Sequence, residues 1–481
     1  MENRSKIKMK KKIEIAIGVI FAALVCTACM SAQKNDMELV DKRGVKEDGK
    51  NISFFSNVGS FAEFESSVKE NGDYGIFLKV QNKNREKDLA SIKVEVDGKY
   101  FCTQKLEVTN ESFSDVYINR VANLEKGKHS VKISVPYFGF TISSISLQKA
   151  DDNFKKQIAH PSLVSKHSSD KTKAVYKYLC DMQGKGILSG QQIYSKQDEI
   201  KTIKKETGKT PAILGIDFID YTPSRVERGA TSISVFDAED WSKDGGLVTI
   251  AWHWNAPKDL LDQDRPEMHW WDGYRTKATK FDFTIGLNDP DSEEYELMIR
   301  DMDAIAELLL ELEAYDVPVL WRPLHEASGK WFWWGSKGAE NYIKLYRFLF
   351  DYLENEYELT NLIWVWNGQD PAWYPGDEYV DIISYDSYPG KQDYQPVYDK
   401  LELIQSATSQ AKLCAISENG TLPDINQLAE DKGLWSWFCT WNGDFVIDSK
   451  NNYNEAYTDL ETFKSYYAND FLITKEDLPE F

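Results

Sequence analysis

The chain has 481 residues, with 57 Lys or Arg against 77 Asp or Glu, and carries a formal net charge of −20. This acidic balance excludes a typical nucleic-acid partner, because binding to phosphate backbones rests largely on Lys and Arg. A hydrophobic content of 42% and a charged content of 28% are ordinary for folded domains, and the length allows two or more of them at roughly 100–200 residues each.

The first 29 residues have the pattern of an export signal. A basic stretch precedes an apolar run, residues 15–25, which is too short to span a bilayer. The run ends in Cys26-Thr-Ala-Cys29, and small residues directly before a cysteine resemble a bacterial lipoprotein processing site. The sequence therefore predicts a signal peptide over 1–29, export, and a lipid anchor at Cys29 on a bacterial membrane or cell surface. Secretion after cleavage nearby is the alternative.

The next part of the chain predicts a small β domain. Residues 30–50 lack apolar periodicity and are predicted to be a flexible tether. From 51 to 149, short alternating runs rich in β-branched residues recur between turn signals such as Asp97-Gly98. Such a pattern is typical of an antiparallel β-sandwich. A polar linker is predicted over 150–172.

A different pattern fills residues 173–481, where helical segments separate eight short apolar runs. Continuous rather than alternating runs favour strands that are covered on both faces, so we predict a (β/α)8 barrel, also called a TIM barrel. A doubly wound open sheet is the alternative, but no Gly-rich phosphate loop follows the first run. The eight runs are residues 186–189, 212–217, 247–252, 317–322, 362–366, 380–385, 413–417 and 437–441.

Polar and aromatic residues follow the ends of these runs. In such a barrel the functional side chains project from the C-terminal ends of the strands, so their recurrence there predicts one shared site. The residues at these ends are Gln191, Gln192, Asp217, Asp220, His253, Asn255, Arg322, His325, Glu326, Asn367, Asp386, Tyr388, Glu418, Asn419, Trp441 and Asn442.

Two glutamates at these ends suggest glycosidic chemistry. Glu326 follows the fourth run and Glu418 the seventh, and carboxylates across a barrel mouth can flank a glycosidic bond. One carboxyl group protonates the leaving oxygen while the other attacks the anomeric carbon. Aromatic residues 331–334 follow Glu326 and supply the apolar surroundings that raise the pKa of a carboxyl acid. For either glutamate alone, an ion pair at the barrel rim is the alternative.

The aromatic residues indicate a sugar substrate, since Trp and Tyr rings stack on the C–H faces of pyranose rings. All 15 tryptophans lie at or after Trp241, within the predicted barrel. Trp270 and Trp271 are equally compatible with a stacking platform and with packing. Trp364, Trp366 and Trp437 are assigned to packing inside strands. The predicted groove contains Trp252, Trp254, Trp331, Trp373, Tyr385, Tyr388 and Trp441.

Metal catalysis is the competing hypothesis for the same edge. His253, His325, Glu326 and Asp386 are the residues that would converge on an ion. No His-x-His pair and no HExxH motif is present, and the chain has only six His. A serine nucleophile is also disfavoured, because no Gly-x-Ser-x-Gly motif occurs. We predict neither a metal nor a cofactor.

Six segments together resemble glycoside hydrolase family 26, the β-mannanase family among the retaining (β/α)8 enzymes. They occur in the order of the family and cover about residues 175–470. As a set they are specific, whereas Ser417-Glu-Asn419 alone would carry little weight. The segments are Gly186–Gln192, Trp252–Asn255, Trp321–Glu326 together with Trp331, Val365–Asn367, Val380–Tyr388 and Ser417–Asn419.

The resemblance implies a role for each matching residue. Glu326 would be the acid/base and Glu418 the nucleophile of a double displacement, with their carboxylates about 5–5.5 Å apart. Tyr388 would orient the nucleophile, and Asp386 would support the same region. The residues implied to contact sugar are His325 beside the cleavage point, His253 on the cleft floor, and Trp331 and Trp441 on either side of the scissile bond.

The resemblance implies an endo-β-1,4-mannanase that acts on mannan, glucomannan or galactomannan, and we expect the protein to be a monomer. Some members of the family cleave β-1,3-xylan or mixed-linkage β-glucan, so both remain alternatives. A non-catalytic surface protein that binds glycans is the alternative from another functional class. The first domain is similar to carbohydrate-binding β-sandwich modules, with Tyr100, Tyr117 or Tyr137 as candidate platform residues, or else it is a spacer.

Overall fold

The computed structural model describes residues 34–55, 59–83, 91–106, 109, 112–135, 139–149, 159, 162–194, 196–430, 432 and 434–481. The predicted signal peptide and the predicted anchor residue Cys29 lie outside these ranges. The chain divides into two compact units, Met1–Asp152 and Asn153–Phe481. Among the described helices, none is long and apolar enough to cross a membrane.

The first unit is a sandwich of two antiparallel sheets in its described part. One sheet has the order β3-β4-β11-β6-β9 with β1 on β11, and the other has the order β2-β5-β10-β7-β8. Alternation places Ile92, Val94 and Val96 in the core between the sheets. The strands are β1 Lys34–Asp36, β2 Glu38–Arg43, β3 Val45–Asp48, β4 Asn51–Phe54, β5 Phe61–Val68, β6 Gly72–Gln81, β7 Ser91–Val96, β8 Lys99–Lys105, β9 Ser114–Leu124, β10 Gly127–Ser134 and β11 Thr141–Lys149.

The prediction of a flexible tether over residues 30–50 is wrong for its described part. Strands β1, β2 and β3 all lie within that stretch and pair with strands of the sandwich. Met37 is buried in the core and Leu39 packs against it, whereas their neighbours Asp36, Glu38 and Val40 are exposed. Because this stretch has so few apolar residues, its sequence shows almost no periodicity. Its strands are ordered by pairing with β11 and β5.

The second unit is the predicted (β/α)8 barrel. Its eight parallel strands follow one another from β13 to β20, and β13 pairs with β20 through Gln191 and Thr440 to close the barrel. Two short strands extend the same sheet, since β12 pairs with the last barrel strand, β20, and β21 pairs with β12. The strands are β12 Ile187–Leu188, β13 Gly190–Gln192, β14 Ile213–Asp217, β15 Leu247–Trp252, β16 Val319–Pro323, β17 Leu362–Trp366, β18 Ile382–Ser387, β19 Leu413–Asn419, β20 Trp435–Thr440 and β21 Leu472–Ile473.

Helices cover the outside of the barrel. The clearest amphipathic case is α7, which buries Tyr342, Leu345, Tyr346 and Leu349 at helical spacing. Only single turns of 3-10 helix are described between the fifth and sixth strands. The helices are α1 Asp170–Met182, α2 Asp198–Thr207, α3 Pro223–Val226, α4 Ser234–Lys243, α5 Phe283–Asn288, α6 Glu293–Ala314, α7 Ala339–Asn355, α8 Tyr398–Gln405, α9 Ile425–Glu430 and α10 Leu460–Tyr467.

The continuous apolar runs predicted strands that are covered on both faces, and the barrel confirms this. Every residue of β15 and of β17 is buried. Trp364, Trp366 and Trp437 are each 0% exposed, which confirms their assignment to packing. The barrel interior is therefore a filled core, and polar chemistry is confined to the ends of the strands.

The last part of the predicted linker packs onto the barrel. The backbone N–H of Val164 donates to Asp381 Oδ1 at 2.7 Å, and the Ser165 hydroxyl donates to Glu354 Oε2 at 2.8 Å. Both carboxyl groups belong to buried residues, and burial raises the pKa of Asp381 to about 7. These bonds fix the chain to the barrel before α1 begins.

Candidate active site

Glu326 follows β16 in an unusual backbone conformation. Its φ of 52° and ψ of 28° lie in the left-handed region, which costs a non-glycine residue roughly 1–3 kcal/mol. Its N–H lies 2.6 Å from the backbone oxygen of Asn367 and 3.1 Å from the side-chain oxygen of the same residue. Asn367, at the end of the fifth strand, therefore holds the backbone that carries the Glu326 side chain.

The Glu326 carboxyl group is half-buried and lies close to another acid. Burial, followed by the negative charge of Glu418, raises the pKa of Glu326 to about 7. The Trp331 indole N–H donates to Glu326 Oε2 at 2.9 Å and opposes this rise, as does the positive charge of Arg322. Gln369 donates more weakly to the other oxygen, at 3.4 Å. A carboxyl group with this pKa can give and take a proton near neutral pH.

Glu418 projects from the end of β19, and its carboxylate accepts two strong hydrogen bonds. The residue is 4% exposed. The Tyr388 hydroxyl donates to Glu418 Oε2 at 2.6 Å, and the Arg322 guanidinium donates to Oε1. Both partners are donors, so both stabilise the ionised carboxylate and fix its orientation. A charged, oriented carboxylate of this kind suits a nucleophile.

The acidic groups lie close together. One carboxylate oxygen each from Glu326, Asp386 and Glu418 lies within 4.8 Å of the others. Retaining glycosidases hold their two carboxyl groups about 5–5.5 Å apart, whereas inverting enzymes need about 6.5–9.5 Å to admit a water molecule. The spacing of Glu326 and Glu418 therefore fits retention.

Arg322 links two of these acids inside the barrel. Its side chain is 2% exposed and donates to Asp386 Oδ2 at 3.0 Å as well as to Glu418. Asp386 also accepts from Asn367 Nδ2 at 2.8 Å and from the Ser417 hydroxyl at 2.7 Å. Burial, followed by the charge of Glu418, raises the pKa of Asp386 well above its ordinary value. Asp386 thus supports Arg322, which in turn holds Glu418.

The residues proposed for metal binding are not brought together as a set. Among the described residues, the one acidic group with metal-ligand spacing contains Glu326, Asp386 and Glu418 but neither histidine. The guanidinium of Arg322 already supplies positive charge to two of those carboxylates. This donor set does not favour the metal hypothesis.

The two histidines instead form a chain with Asp217. Asp217 Oδ2 accepts from Nδ1 of His253, and the Nε2 atoms of His253 and His325 lie 3.1 Å apart. Burial alone would raise the pKa of Asp217, but the charge and hydrogen bonds of His253 lower it. Burial, followed by the charges of His253 and Arg322, lowers the pKa of His325 well below 6.5. Nδ1 of His325 is buried and makes no hydrogen bond to a described atom.

Three of the aromatic residues predicted for the groove are exposed to the cleft to some degree. Trp331 and Tyr388 are each 44% exposed, and Trp441 is partly exposed. The Trp441 ring centroid lies 6.2 Å from that of His253, and the Phe332 ring lies 5.2 Å from it. These rings and the histidines form one wall of the site.

The prediction that Trp252, Trp254 and Trp373 line the groove is wrong. Their exposures are 0%, 0% and 6%. Trp252 and Trp254 stack on each other at a centroid distance of 4.3 Å, and the Trp254 indole donates to buried Asp301 at 2.8 Å. They therefore pack beneath the cleft. Tyr385 is half-buried beside α8, with the Lys400 ammonium 5.5 Å from its ring centroid.

The Trp270–Trp271 pair splits between the two roles that the sequence left open. Trp271 is 44% exposed and stacks on His269 at a centroid distance of 4.2 Å. Trp270 is covered by the guanidinium groups of Arg225 and Arg228, at 5.9 and 5.7 Å from its ring. Trp271 presents a ring to solvent, and Trp270 packs.

Several residues of the site were not assigned a role from the sequence. Arg322, Asn367, Gln369 and Ser417 all bond directly to the acidic residues. Of these residues, only Arg322 could have been recognised from the sequence, because an arginine at the end of a buried strand requires buried acidic partners. Gln369 lies in a loop that has no periodicity.

The chain is similar to members of a known enzyme family. The model of glycosyl hydrolase family 26 matches residues 164–477. A mannan endo-1,4-beta-mannosidase of Thermothelomyces thermophilus is 39% identical over 355 residues, which cover 74% of this chain and 71% of the relative. Mannan endo-1,4-beta-mannosidase B of a Piromyces species is 28% identical over 89% of this chain and 73% of its own length.

Solved structures show the same likeness. A GH26-CBM35 beta-(1,4)-mannanase of Podospora anserina is 33% identical, with a TM-score of 0.64 over 93% of this chain and 98% of its own. A ruminal GH26 endo-beta-1,4-mannanase is 28% identical, with a TM-score of 0.65 over 88% of this chain and 91% of its own.

Proposed function

The chain belongs to glycosyl hydrolase family 26 and is a glycoside hydrolase, and from this premise we propose that it is a retaining endo-β-1,4-mannanase. The observation that carries the proposal is the spacing of Glu326 and Glu418, whose carboxylate oxygens approach within 4.8 Å. Glu326, with its raised pKa, is the acid/base. Glu418, fixed by Arg322 and Tyr388, is the nucleophile.

In the first step Glu326 donates its proton to the leaving glycosidic oxygen. Glu418 attacks the anomeric carbon from the other face, and a covalent glycosyl-enzyme forms. This step removes the negative charge of Glu418. Because that charge is the second cause of the raised pKa of Glu326, its loss lowers the pKa.

In the second step Glu326, now ionised, takes a proton from water. The hydroxide equivalent attacks the anomeric carbon and releases Glu418, so the configuration is inverted twice and retained overall. The pKa of Glu326 then rises again as Glu418 regains its charge. The short distance between the two carboxyl groups therefore allows Glu326 to act as an acid in the first step and as a base in the second.

The substrate assignment rests on the cleft and on the relatives. His253, His325, Trp331 and Trp441 provide stacking faces and hydrogen-bonding groups for a sugar chain, and these are the residues we propose for substrate binding. The relatives described above are named as enzymes that act on β-1,4-mannan. Glucomannan and galactomannan share that backbone.

Two measurements test this function. Purified protein is incubated with mannan, glucomannan, galactomannan, β-1,3-xylan and mixed-linkage β-glucan, and product lengths are resolved. We expect short manno-oligosaccharides from the first three polymers; release from xylan or β-glucan alone would contradict the substrate. Glu418→Ala is expected to lower kcat at least about 10³-fold, and wild-type activity in this variant would refute the nucleophile assignment.

We also propose that the protein is exported and lipid-anchored at Cys29, on the strength of the apolar run and the Cys26-Thr-Ala-Cys29 segment. The anchor would hold the monomer at a bacterial surface, where polysaccharide is met. Metabolic labelling with a clickable fatty acid should mark the wild type but not Cys29→Ala, which should leave the membrane fraction. An unlabelled wild type in the culture medium would support plain secretion instead.

A further inference from the structure

The sandwich unit carries an aromatic pair on the outer face of one sheet. Phe77 on β6 and Tyr117 on β9 are directly opposite each other in the strand register. Their ring centroids lie 5.0 Å apart at an interplanar angle of 39°, and both residues are half-buried. Ile76 and Leu78, on either side of Phe77, point into the core. Alternation therefore places both rings on the solvent side of the sheet.

Gly75 lets these rings lie down on the sheet. A Cβ atom at Gly75 would lie 2.8 Å from a ring carbon of Phe77 and 2.9 Å from a ring carbon of Tyr117. Both rings therefore lean over the glycine backbone, as aromatic rings do when they cover a glycine in a sheet. Both rings remain partly exposed in this position, and an accessible aromatic ring can stack on a pyranose ring.

Hydrogen-bonding side chains surround the pair. The cross-strand row that contains it runs from Asp36 through Ser146 and Phe77 to Tyr117. In the next row, Gln148 lies opposite Gly75. Neighbours in such rows are about 4.5–5.5 Å apart, so one ligand can contact several of them. Ser146 itself is buried, so the carboxylate of Asp36 and the amide of Gln148 are the groups of these two rows that remain accessible beside the aromatic pair.

The charges on this face are paired with one another. Lys34 Nζ lies 3.2 Å from Asp36, and Lys79 Nζ lies 3.8 Å from Asp115. Pairing leaves donors and acceptors without a strong local field, which suits an uncharged ligand better than an anionic one. A neutral polysaccharide has this chemistry.

We propose that the outer face of the sandwich centred on Phe77 and Tyr117 is a binding site for a β-1,4-linked hexopyranose chain of the mannan type. The two rings stack on sugar faces, and Asp36 and Gln148 bond hydroxyl groups. The choice of mannan rests on the proposed function of the barrel. Tyr117 was one of three candidates from the sequence; the side chains of Tyr100 and Tyr137 lie outside the described residues.

The test compares binding to insoluble mannan with hydrolysis of soluble mannohexaose, using the full-length protein. Phe77→Ala and Tyr117→Ala should each lower the affinity for insoluble mannan by about three- to tenfold. The rate on mannohexaose, which reports on the barrel, should stay at the wild-type value. The barrel binds the polymer equally in every variant, so the difference reports on the sandwich.

Phe61→Ala is the matched control, because Phe61 is also half-buried on an outer face but in the second sheet. Its ring is already covered by the Lys132 ammonium, 4.3 Å from the centroid, and this variant should bind normally. Phe77→Leu separates stacking from folding: it keeps an apolar side chain over Gly75 but removes the flat face, so it should bind as poorly as Phe77→Ala.

Three results would overturn the proposal: wild-type binding in both alanine variants, full recovery of binding in Phe77→Leu, or an equal loss in Phe61→Ala. Failure of the proposed function gives a different result, namely no hydrolysis of mannohexaose by the wild type. In that case the same binding series is repeated on insoluble cellulose, which tests the aromatic pair independently. Loss of cellulose binding in the Phe77 and Tyr117 variants would support the aromatic pair as a binding site for another β-1,4-linked chain.

Discussion

The Nε2 atoms of His253 and His325 lie 3.1 Å apart, and a hydrogen bond between them requires a proton on one of the two. Asp217 accepts from Nδ1 of His253, so that nitrogen carries a proton. Burial holds the pKa of His325 well below 6.5, so His325 takes part in this contact as a neutral imidazole, and its Nδ1 has no described partner. Asp217 therefore fixes the orientation of His253, which in turn contacts His325.

Asp217→Asn should disturb this chain. The backbone N–H groups of His253 and Ile219 hold one carboxylate oxygen of Asp217, so an amide there turns its NH2 group toward Nδ1 of His253 and donates where the carboxylate accepted. The proton should then leave Nδ1 of His253, which long-range proton–nitrogen NMR of the imidazoles would show, and kcat/KM should fall about 10–100-fold, as for other supporting residues. Asp220→Asn, which alters a carboxylate paired with Arg225, should leave the histidine spectra unchanged. A proton that stays on Nδ1 of His253 in Asp217→Asn would contradict the assignment.

The pH dependence of kcat/KM should report the raised pKa of Glu326. The acid form is required, so activity should fall as the pH rises through about 7. Trp331→Phe removes a hydrogen-bond donor that stabilises the ionised form of Glu326. It should therefore move the basic limb of the pH profile to higher pH by up to about one unit. Trp441→Phe changes a cleft indole outside the described hydrogen bonds of Glu326 and should not move it. A downward shift in Trp331→Phe would be inconsistent with this geometry.

The same pKa predicts an effect on stability. Because the folded-state pKa of Glu326 lies above the ordinary value of 4.5, folding favours the protonated form, and that stability is lost as the pH rises from about 4.5 through about 7. Glu326→Gln does not titrate. Its Tm should therefore exceed that of the wild type at pH 8 by about 2–4 °C for each kcal/mol relieved, with a smaller excess at pH 5. An equal difference at both pH values would contradict the shift.

Arg322 should be among the most sensitive positions of the barrel. Arg322→Met leaves Asp386 and Glu418 buried without their common partner, and loss of one member of a buried ion pair costs about 3–5 kcal/mol. Urea unfolding should show this loss, and kcat should fall with it. Lys344→Ala breaks an exposed pair with Glu340 on α7 and should cost about 0.5 kcal/mol or less. Similar losses in both variants would argue against the buried network.

The barrel could be predicted because its strands are continuous apolar runs with polar residues at one end. β15 and β17 are buried on both faces, and that requirement is visible in the sequence. The strands of residues 34–48 were not visible. Their order comes from pairing with β5 and β11, and distant pairing leaves little trace in local composition.

The two glutamates could be predicted from strand ends and from the family resemblance, but the surrounding contacts could not. Gln369 reaches Glu326 only because the loop after the fifth strand turns toward the fourth. Trp252 and Trp254 lie in the same motif as His253, yet they point beneath the cleft while the histidine lines it. Side-chain direction at a strand end depends on backbone geometry, which a motif does not specify.

The start of the barrel unit determines where the chain can be joined to another module. Val164 bonds to Asp381, and Ser165 bonds to Glu354. A fragment that starts at residue 170 would take one hydrogen-bond donor from each of two buried carboxyl groups, whereas one that starts near residue 153 keeps both donors. Recombination before residue 159 can therefore exchange the upstream module for another while these described contacts of the enzyme unit survive. This part of the chain is where natural or designed chimaeras should be joined.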